Sequence, residues 1–440
     1  MEVTLETESR KIDGVPHSAL RFEYGDPNAF LEISFHRTVR VPDNGSSYGL
    51  PPDHSPFPLY SVRKFEKTLP ADVVAKGGCF LPIYQREAMW MYFEASHPFA
   101  VMVYVGGINA VSGEPVKENI GTIIRQKTKL SQGKSIQDYV VAGPQRWLDG
   151  VATHDGSVRQ FVATPMGSGY SVEAQMTGTE SFAGLQLEVV PLKNHGHSRI
   201  KIKVVGSTDL APGSFVYYIL KPSTPLSKVM RSYCQTEQKA YERVRFLYDR
   251  SSIREEDTCE SLEMPSGDVI EALPVQIGGG YSNSCGAGAR GYPKERNPVT
   301  TMSIAAGGLI KQSIAEDIFP AEDWDTENSI IANVQLINSA VFESFTGLKP
   351  PPTPITAATY AKTGFPYFSI YEEPTGIHGK FEGLKSVGEL DKENRFQIAL
   401  HKQEDKILTR IVPVSKDYQT FIPVSRRVEK LKKVRVATDL

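Results

Sequence analysis

The sequence has no apolar stretch long enough to cross a membrane as a helix. Its longest largely apolar run, Pro98 to Val111, includes two glycines and an asparagine, whereas a membrane-spanning helix needs about 20 apolar residues. The polar residues 1–14 also lack the basic start and the apolar core of a signal peptide. We therefore expect an intracellular protein, cytoplasmic or nuclear, that does not contact a membrane.

Cysteine and net charge are also scarce. The four cysteines among 440 residues lie far apart, at Cys79, Cys234, Cys259 and Cys285. They form no Cys-x-x-Cys pair and have no histidine at zinc-finger spacing, so we expect free thiols in a reducing compartment and no metal site. The formal net charge is −2, so no overall field attracts the chain to nucleic acid.

Recognisable catalytic motifs are missing too. Residues 167–169 read Gly-Ser-Gly, without the longer Gly-x-Ser-x-Gly frame of a nucleophile elbow. The histidines that could act as bases fall on separate segments, at His36, His97, His154 and His378. Sequence spacing therefore assembles no Ser–His–Asp set. The acids around Trp324 could share acid and base roles, but a solvated turn explains them more simply. We expect no catalytic residue and no cofactor.

What the chain has in quantity is glycine and proline, 36 and 30 residues, which favour short strands with frequent turns. Residues 1–192 alternate apolar and polar side chains, as in Phe30 to Val41, and predict a β-rich sandwich or barrel. Residues 281–300 predict a Gly-rich linker. Residues 301–440 combine strand and helix patterns and predict a mixed α/β domain that packs on the N-terminal domain. The predicted fold class is thus multidomain, mostly β and α+β.

Residues 198–280 form the most regular region. Ile200, Ile202 and Val204 alternate with lysines, the pattern of a half-buried strand, and Phe215–Leu220 predicts a second strand. Thr224 and Pro225 then suit the start of a helix. Two later strand patterns, at 244–248 and 269–273, complete the order strand, strand, helix, strand, strand. That order is typical of the β-grasp fold.

This region resembles the SUMO branch of the ubiquitin-like proteins, of the Rad60-SLD type. The resemblance rests on five phrases in register: Thr224-Pro225-Leu226, Ser232-Tyr233-Cys234-Gln235, Val244-Arg245-Phe246-Leu247-Tyr248-Asp249, Gly267-Asp268-Val269-Ile270-Glu271 and Gln276-Ile277-Gly278-Gly279. It implies a ubiquitin-like β-grasp domain at about residues 198–280.

The resemblance also implies a peptide-binding groove between the second strand and the helix. Relatives bind an extended hydrophobic-acidic peptide there as an added strand. The corresponding positions have an apolar centre and a basic rim, namely Tyr218, Leu220, Val229 and Tyr233 with Lys221, Lys228 and Arg231. Ile219 stands where relatives usually have a base, which weakens the preference for acidic motifs. The alternative is that the aromatic residues pack against the N-terminal domain.

The diglycine Gly278-Gly279 implies a possible processing site, since a SUMO ends at this position after cleavage by a SUMO-type protease. Here the chain continues to residue 440, and an uncut Gly-rich hinge explains the glycines somewhat better, because a cut would separate the two flanking regions. The leading expectation is a non-enzymatic protein that binds other proteins through its SUMO-like domain. The alternatives are a modifier precursor cleaved after Gly279, and a carbohydrate-active enzyme or hydrolase carried by the flanking β-rich regions.

The two flanking regions resemble uncharacterised fungal and bacterial proteins. Four phrases carry this likeness: Trp147-Leu148-Asp149-Gly150, Arg159-Gln160-Phe161-Val162-Ala163, Gly167-Ser168-Gly169-Tyr170 and Gly307-Gly308-Leu309-Ile310-Lys311-Gln312. In the bacterial proteins the SUMO-like part is absent. The likeness implies that the flanks form one older unit into which the SUMO-like region was inserted, and it implies no activity.

Overall fold

The structure is a computed structural model. It describes residues 1–12, 15–153, 157–193, 200–206, 215–237, 239–249, 251–265, 267–274, 299–365, 387 and 421–433. The predicted processing site at Gly278 and Gly279, and nearly all of the predicted linker, lie outside these residues.

Fifteen strands form one large sheet, and strands are numbered along the chain. Thirteen of them precede the central region: β1 Glu2–Ile12, β2 Val15–Tyr24, β3 Asp26–Thr38, β4 Tyr60–Ser61, β5 Cys79–Ile83, β6 Ala88–Ala95, β7 Phe99–Val105, β8 Ile108–Asn109, β9 Val140–Ala142, β10 Trp147–Leu148, β11 Gly150–Ala152, β12 Val158–Pro165 and β13 Leu185–Pro191. The other two follow it: β19 Thr301–Ile310 and β20 Ile330–Asn338.

The central run of this sheet is linked at its two ends by one stretch of chain. The hydrogen-bonded path of that run is β6-β12-β19-β20-β13-β7. Residues 140–148 link its ends, because β9 pairs with β7 and β10 pairs with β6. The side chains that alternate inward, such as Phe35, Met91, Phe161 and Ile304, are buried in a single apolar core. We call this sheet the barrel.

The barrel is built from both flanking regions. β19 pairs with β12, and β20 pairs with β13, so residues 301–338 fill the middle of the sheet. Each of these strands contributes buried apolar side chains to the same core. The domain boundaries drawn from the sequence stay predictions, but the ladders run directly between residues 1–192 and 301–338. These two parts share one core and are better treated as one unit.

The central region forms a separate five-stranded sheet, which we call the module (residues 200–274). Its strands are β14 Ile200–Gly206, β15 Phe215–Leu220, β16 Val244–Tyr248, β17 Ser251–Ser252 and β18 Val269–Pro274. Their order is β15-β14-β18-β16-β17, with β14 and β18 parallel. This mixed sheet, with one helix against it, confirms the predicted β-grasp fold, and the many barrel strands confirm the mostly β fold class.

Seven α-helices accompany these sheets in the described part of the chain: α1 Ala71–Lys76, α2 Ile120–Ser131, α3 Val172–Thr177, α4 Leu226–Thr236, α5 Ser339–Thr346, α6 Ala357–Thr363 and α7 Val424–Lys433. None of them has the length and apolar character that a membrane crossing needs. α7 docks on the N-terminal half, because buried Arg427 bonds to Glu118 at 2.8 Å and lies 2.7 Å from Asp138.

Candidate functional site

The predicted groove lies between β15 and α4. β15 is an edge strand whose ladder partner among the described residues is β14. Its side chains alternate strictly, since Val216, Tyr218 and Leu220 point into the module while Phe215 and Tyr217 are exposed. α4 turns Val229 and Tyr233 toward the same interior. The strand and the helix therefore bring the four predicted apolar residues together.

These four side chains are fully buried. Tyr218, Val229 and Tyr233 are 0% exposed and Leu220 is 1% exposed. They belong to an apolar cluster that continues into the barrel through Met102, Tyr139, Ile318, Phe319, Trp324 and Phe421. The four residues thus belong to an apolar cluster that includes side chains of both the module and the barrel, and within it the Tyr233 ring lies 5.8 Å from that of Phe246 of the module. Burial raises the pKa of Tyr218, whose hydroxyl lies beside Ser232.

The three basic residues predicted for the rim have separate surroundings. Lys221 Nζ lies 3.7 Å from Asp323 of the barrel. Arg231 bonds to Glu255 within the module at 3.3 Å, and its guanidinium carbon lies 5.6 Å from the centre of the Tyr241 ring. Lys228 is exposed. Lys221 is therefore the rim residue that contacts the barrel.

Residues 314–324, the covering segment, reach both ends of this groove. The segment reads Ile-Ala-Glu-Asp-Ile-Phe-Pro-Ala-Glu-Asp-Trp and connects β19 to β20. Near its start, the Glu316 amide donates to Gln235 Oε1 at 2.8 Å, close to the end of α4. Near its end, Asp323 meets Lys221, which follows β15.

The covering segment is held to the barrel by a buried carboxylate. Asp317 accepts hydrogen bonds from the hydroxyl of Tyr139, from Trp324 Nε1 and from the Phe319 amide. Burial raises the pKa of Asp317 to about 6, although these three donors oppose the shift. A further bond joins the module to the barrel, since Thr236 Oγ1 donates to the Pro144 carbonyl at 3.0 Å. The interface is therefore polar at its edges and apolar at its centre.

Sequence reasoning missed the outer face of β14 and β15. Phe215 and Tyr217 are 41% and 39% exposed there. The Nζ atom of Lys203 lies 4.1 Å from the centre of the Phe215 ring, and that of Lys201 lies 4.2 Å from the Tyr217 ring. Strict alternation along the strand was the signal that could have identified this face.

A polar group on the barrel also escaped the sequence analysis. Ser34, His36 and Asp53 are joined by hydrogen bonds. No cluster of three or more potential metal-binding side chains occurs in the described residues.

Comparison with known proteins identifies the module. The Rad60-SLD family, described as ubiquitin-2 like Rad60 SUMO-like, matches residues 200–273. Small ubiquitin-related modifier 2 of Homo sapiens is 37% identical over 90 residues, which cover 20% of this chain and 90% of the modifier. The chain belongs to the SUMO-like family. The resemblance expected from the sequence is confirmed, and the module is its SUMO-like domain.

Further SUMO-like relatives match the same share of the chain. Small ubiquitin-related modifier 2-B of Xenopus laevis is 36% identical over 90 residues, again 20% of this chain and 90% of that protein. Among solved structures, SUMO from Trypanosoma brucei is 33% identical, covers 20% of this chain and 81% of its own, and has a TM-score of 0.17. Caldiarchaeum subterraneum ubiquitin is 23% identical, covers 18% and 99%, and also has a TM-score of 0.17.

Proposed function

We propose that the SUMO-like domain of this protein is a non-catalytic interaction module that binds hydrophobic-acidic segments in the groove between β15 and α4. The observation that carries the proposal is the covering segment itself. It combines apolar Ile318, Phe319 and Trp324 with acidic Glu322 and Asp323. It contacts the module at both ends of the groove. The chain's own segment thus has the chemistry proposed for a partner.

Burial of apolar side chains contributes more to the docking of the covering segment than its ion pair with Lys221 does. Burial of each large apolar side chain contributes about 1.5–3 kcal/mol, and Ile318, Phe319 and Trp324 are all buried in the shared cluster. The single ion pair from Lys221 adds less, about 0–1 kcal/mol, because its side chain is 44% exposed. An added strand was expected from the resemblance, but β15 pairs with β14 alone among the described residues. The covering segment contacts the module through the Glu316 amide and the Asp323 carboxylate instead.

Partners from outside must compete with the covering segment. A segment tethered in the same chain acts at an effective concentration in the millimolar range. A free hydrophobic-acidic peptide therefore binds the full chain more weakly than it would bind an open groove. Release of the covering segment would free Gln235 and Lys221, at the two ends of the groove, for such partners.

The modifier-precursor alternative receives less support. A cut after Gly279 falls between β18, which ends at Pro274, and β19, which starts at Thr301. Because β19 and β20 lie in the middle of the barrel sheet, the two pieces would stay associated after cleavage. Conjugation through Gly279 would then attach the whole protein to its target, so we favour the binding role.

A peptide that copies residues 312–325 tests the proposed groove. We expect it to bind Asp323→Asn full-length protein about three- to fivefold more tightly than wild type, because the variant's own segment has lost its ion pair. Fluorescence anisotropy of the labelled peptide measures both affinities. The matched control is Glu322→Gln, the neighbouring exposed acid, which should bind like wild type. The double variant Lys221→Glu/Asp323→Asn should lose the gain in peptide affinity that Asp323→Asn shows.

Two results would oppose this proposal. One is equal peptide affinity for wild type and Asp323→Asn. The other is the absence of binding to every folded variant at about 1 mM peptide, which corresponds to about 4 kcal/mol of binding free energy. In either case, the groove would not be a binding site for segments of this kind.

A further inference from the structure

A serine, a histidine and an aspartate form a hydrogen-bonded chain on the barrel. Ser34 and His36 lie two residues apart on β3, so their side chains share one face of the strand. Ser34 Oγ lies 2.8 Å from His36 Nε2. His36 Nδ1 lies 3.1 Å from both carboxylate oxygens of Asp53, which belongs to the loop after β3.

The direction of these hydrogen bonds follows from the carboxylate. Burial acts to raise the pKa of Asp53, but its bonds to His36 and to the amides of Ser55 and His54 lower that pKa overall. Asp53 is therefore ionised at neutral pH and can only accept hydrogen bonds. His36 Nδ1 must carry the proton in the neutral ring, so Nε2 presents its lone pair to the Ser34 hydroxyl. This is the tautomer that a general base needs.

The surroundings of the hydrogen-bonded Ser34, His36 and Asp53 side chains suit a reaction that is shielded from water. Ser34 is 1% exposed and His36 is also buried, while the side chain of Asp53 is 47% exposed. The ring of Trp90 lies 4.6 Å from the His36 ring, centroid to centroid, and Tyr92 meets it edge-on at 6.0 Å. Trp90 Nε1 is a buried donor without a hydrogen-bond acceptor in the described part of the chain.

The group has an outer wall of half-buried side chains. Tyr92 and Trp147 are paired across β6 and β10, and the Tyr92 hydroxyl accepts a hydrogen bond from Arg146 at 3.1 Å. Tyr92 and Trp147 are both only partly covered. A small ligand would therefore approach Ser34 past these rings, and its acyl group would lie against aromatic surface.

We propose that Ser34, His36 and Asp53 form a nucleophilic site that hydrolyses small carboxylic esters. This inference concerns the barrel and goes beyond the proposed function of the module. Ser34 Oγ bonds to the ester carbonyl carbon while its proton passes to His36 Nε2. The bond from that carbon to the leaving oxygen then breaks, and Nε2 returns the proton to the departing alkoxide. Water releases the acyl group by the same route.

Each residue has a distinct role in this step. Asp53 holds the imidazole in the required tautomer and stabilises its protonated form. Trp90 Nε1–H is an unpaired buried donor, in the described structure, on the ring that packs against His36, and it is suited to the oxygen that gains negative charge.

Covalent labelling tests the inference on the full chain. We expect a small alkyl fluorophosphonate to form a Ser34 Oγ–P bond with loss of fluoride, detected by intact mass and peptide mapping. His36→Ala should slow labelling by roughly 100-fold, the contribution typical of a general base. Ser303→Ala is the matched control, because Ser303 is an equally buried serine on β19, and it should label like wild type.

A second variant covers the case in which the aromatic wall limits access. Tyr92→Ala should label at least as fast as wild type and should hydrolyse p-nitrophenyl acetate faster. The inference is overturned if neither folded wild type nor folded Tyr92→Ala forms an adduct at Ser34. It is also overturned if His36→Ala labels as fast as wild type, which would indicate a structural hydrogen bond only.

Discussion

Replacing Trp324 with alanine is expected to lower the free energy of unfolding by about 3–5 kcal/mol, the range found for buried aromatic side chains. Trp324 is buried and lies within 6.4 Å, centroid to centroid, of Tyr139, Phe319 and Phe421. Its Nε1 also donates to Asp317. The variant therefore leaves a cavity and removes a donor from a buried carboxylate. Urea denaturation followed by circular dichroism measures the loss.

Trp147→Ala is the matched control for this prediction. Trp147 is only half-buried, so its replacement should cost less than half as much. Equal losses in the two variants would mean that the covering segment contributes nothing special to the interface. The Trp324 variant should in addition make Phe319 more accessible, because the two rings lie 5.6 Å apart, centroid to centroid.

The substitution Asp149→Asn is expected to stabilise the protein at pH 8 by up to about 4 kcal/mol. Both carboxylate oxygens of Asp149 are buried and lack a hydrogen-bond partner in the described residues. Burial raises the pKa of Asp149 from 3.8 to about 7, a difference of about 3 units at roughly 1.4 kcal/mol each. Between about pH 4 and pH 7 the folded protein thus holds a proton that the unfolded chain releases, and at pH 8 the fold must accommodate a buried, ionised carboxylate.

The pH dependence gives this prediction its sign. A raised folded-state pKa stabilises the fold fully below about pH 4, and that stability is lost as the pH rises through 7. Asparagine stays neutral, so wild type and Asp149→Asn should differ little at pH 4 and most at pH 8. Urea-denaturation midpoints of wild type and Asp149→Asn, measured at pH 4 and at pH 8, test this pH dependence. Glu256→Gln, which changes an exposed acid, should show no such trend, and a pH-independent difference for Asp149→Asn would contradict the account.

The module was the easiest part of the fold to predict. Its strands alternate strictly, as in Ile202 and Val204, and both side chains are indeed buried. Its elements also follow one another closely, so short-range patterns sufficed. The barrel was harder, because β12 pairs with β19 across the whole intervening module. Patterns within a short window of sequence cannot reveal that two strands so far apart in the chain are paired. For this reason residues 301–440 were predicted to form a domain of their own.

The candidate site was predictable only in part. Alternation placed Tyr218 and Leu220 on the inner face, but it could not tell that Phe319 and Trp324 complete the same cluster. The same limit applied to the barrel serine. Ser34 and His36 share a strand face by alternation, whereas Asp53 belongs to a turn-rich loop whose position depends on tertiary contacts.

Hydroxyl-radical footprinting of the full-length protein tests the central claim most directly. Tyr217 and Tyr218 are adjacent in the chain but are 39% and 0% exposed, so each serves as the reference for the other. If the covering segment is held against the barrel, Tyr217 will be oxidised and Tyr218 will stay protected in wild type, and Phe319 of the covering segment will stay protected in wild type but become reactive in folded Trp324→Ala, where its ring loses the contact with Trp324. Oxidation of Tyr218 in wild type at a rate close to that of Tyr217 would contradict a closed groove.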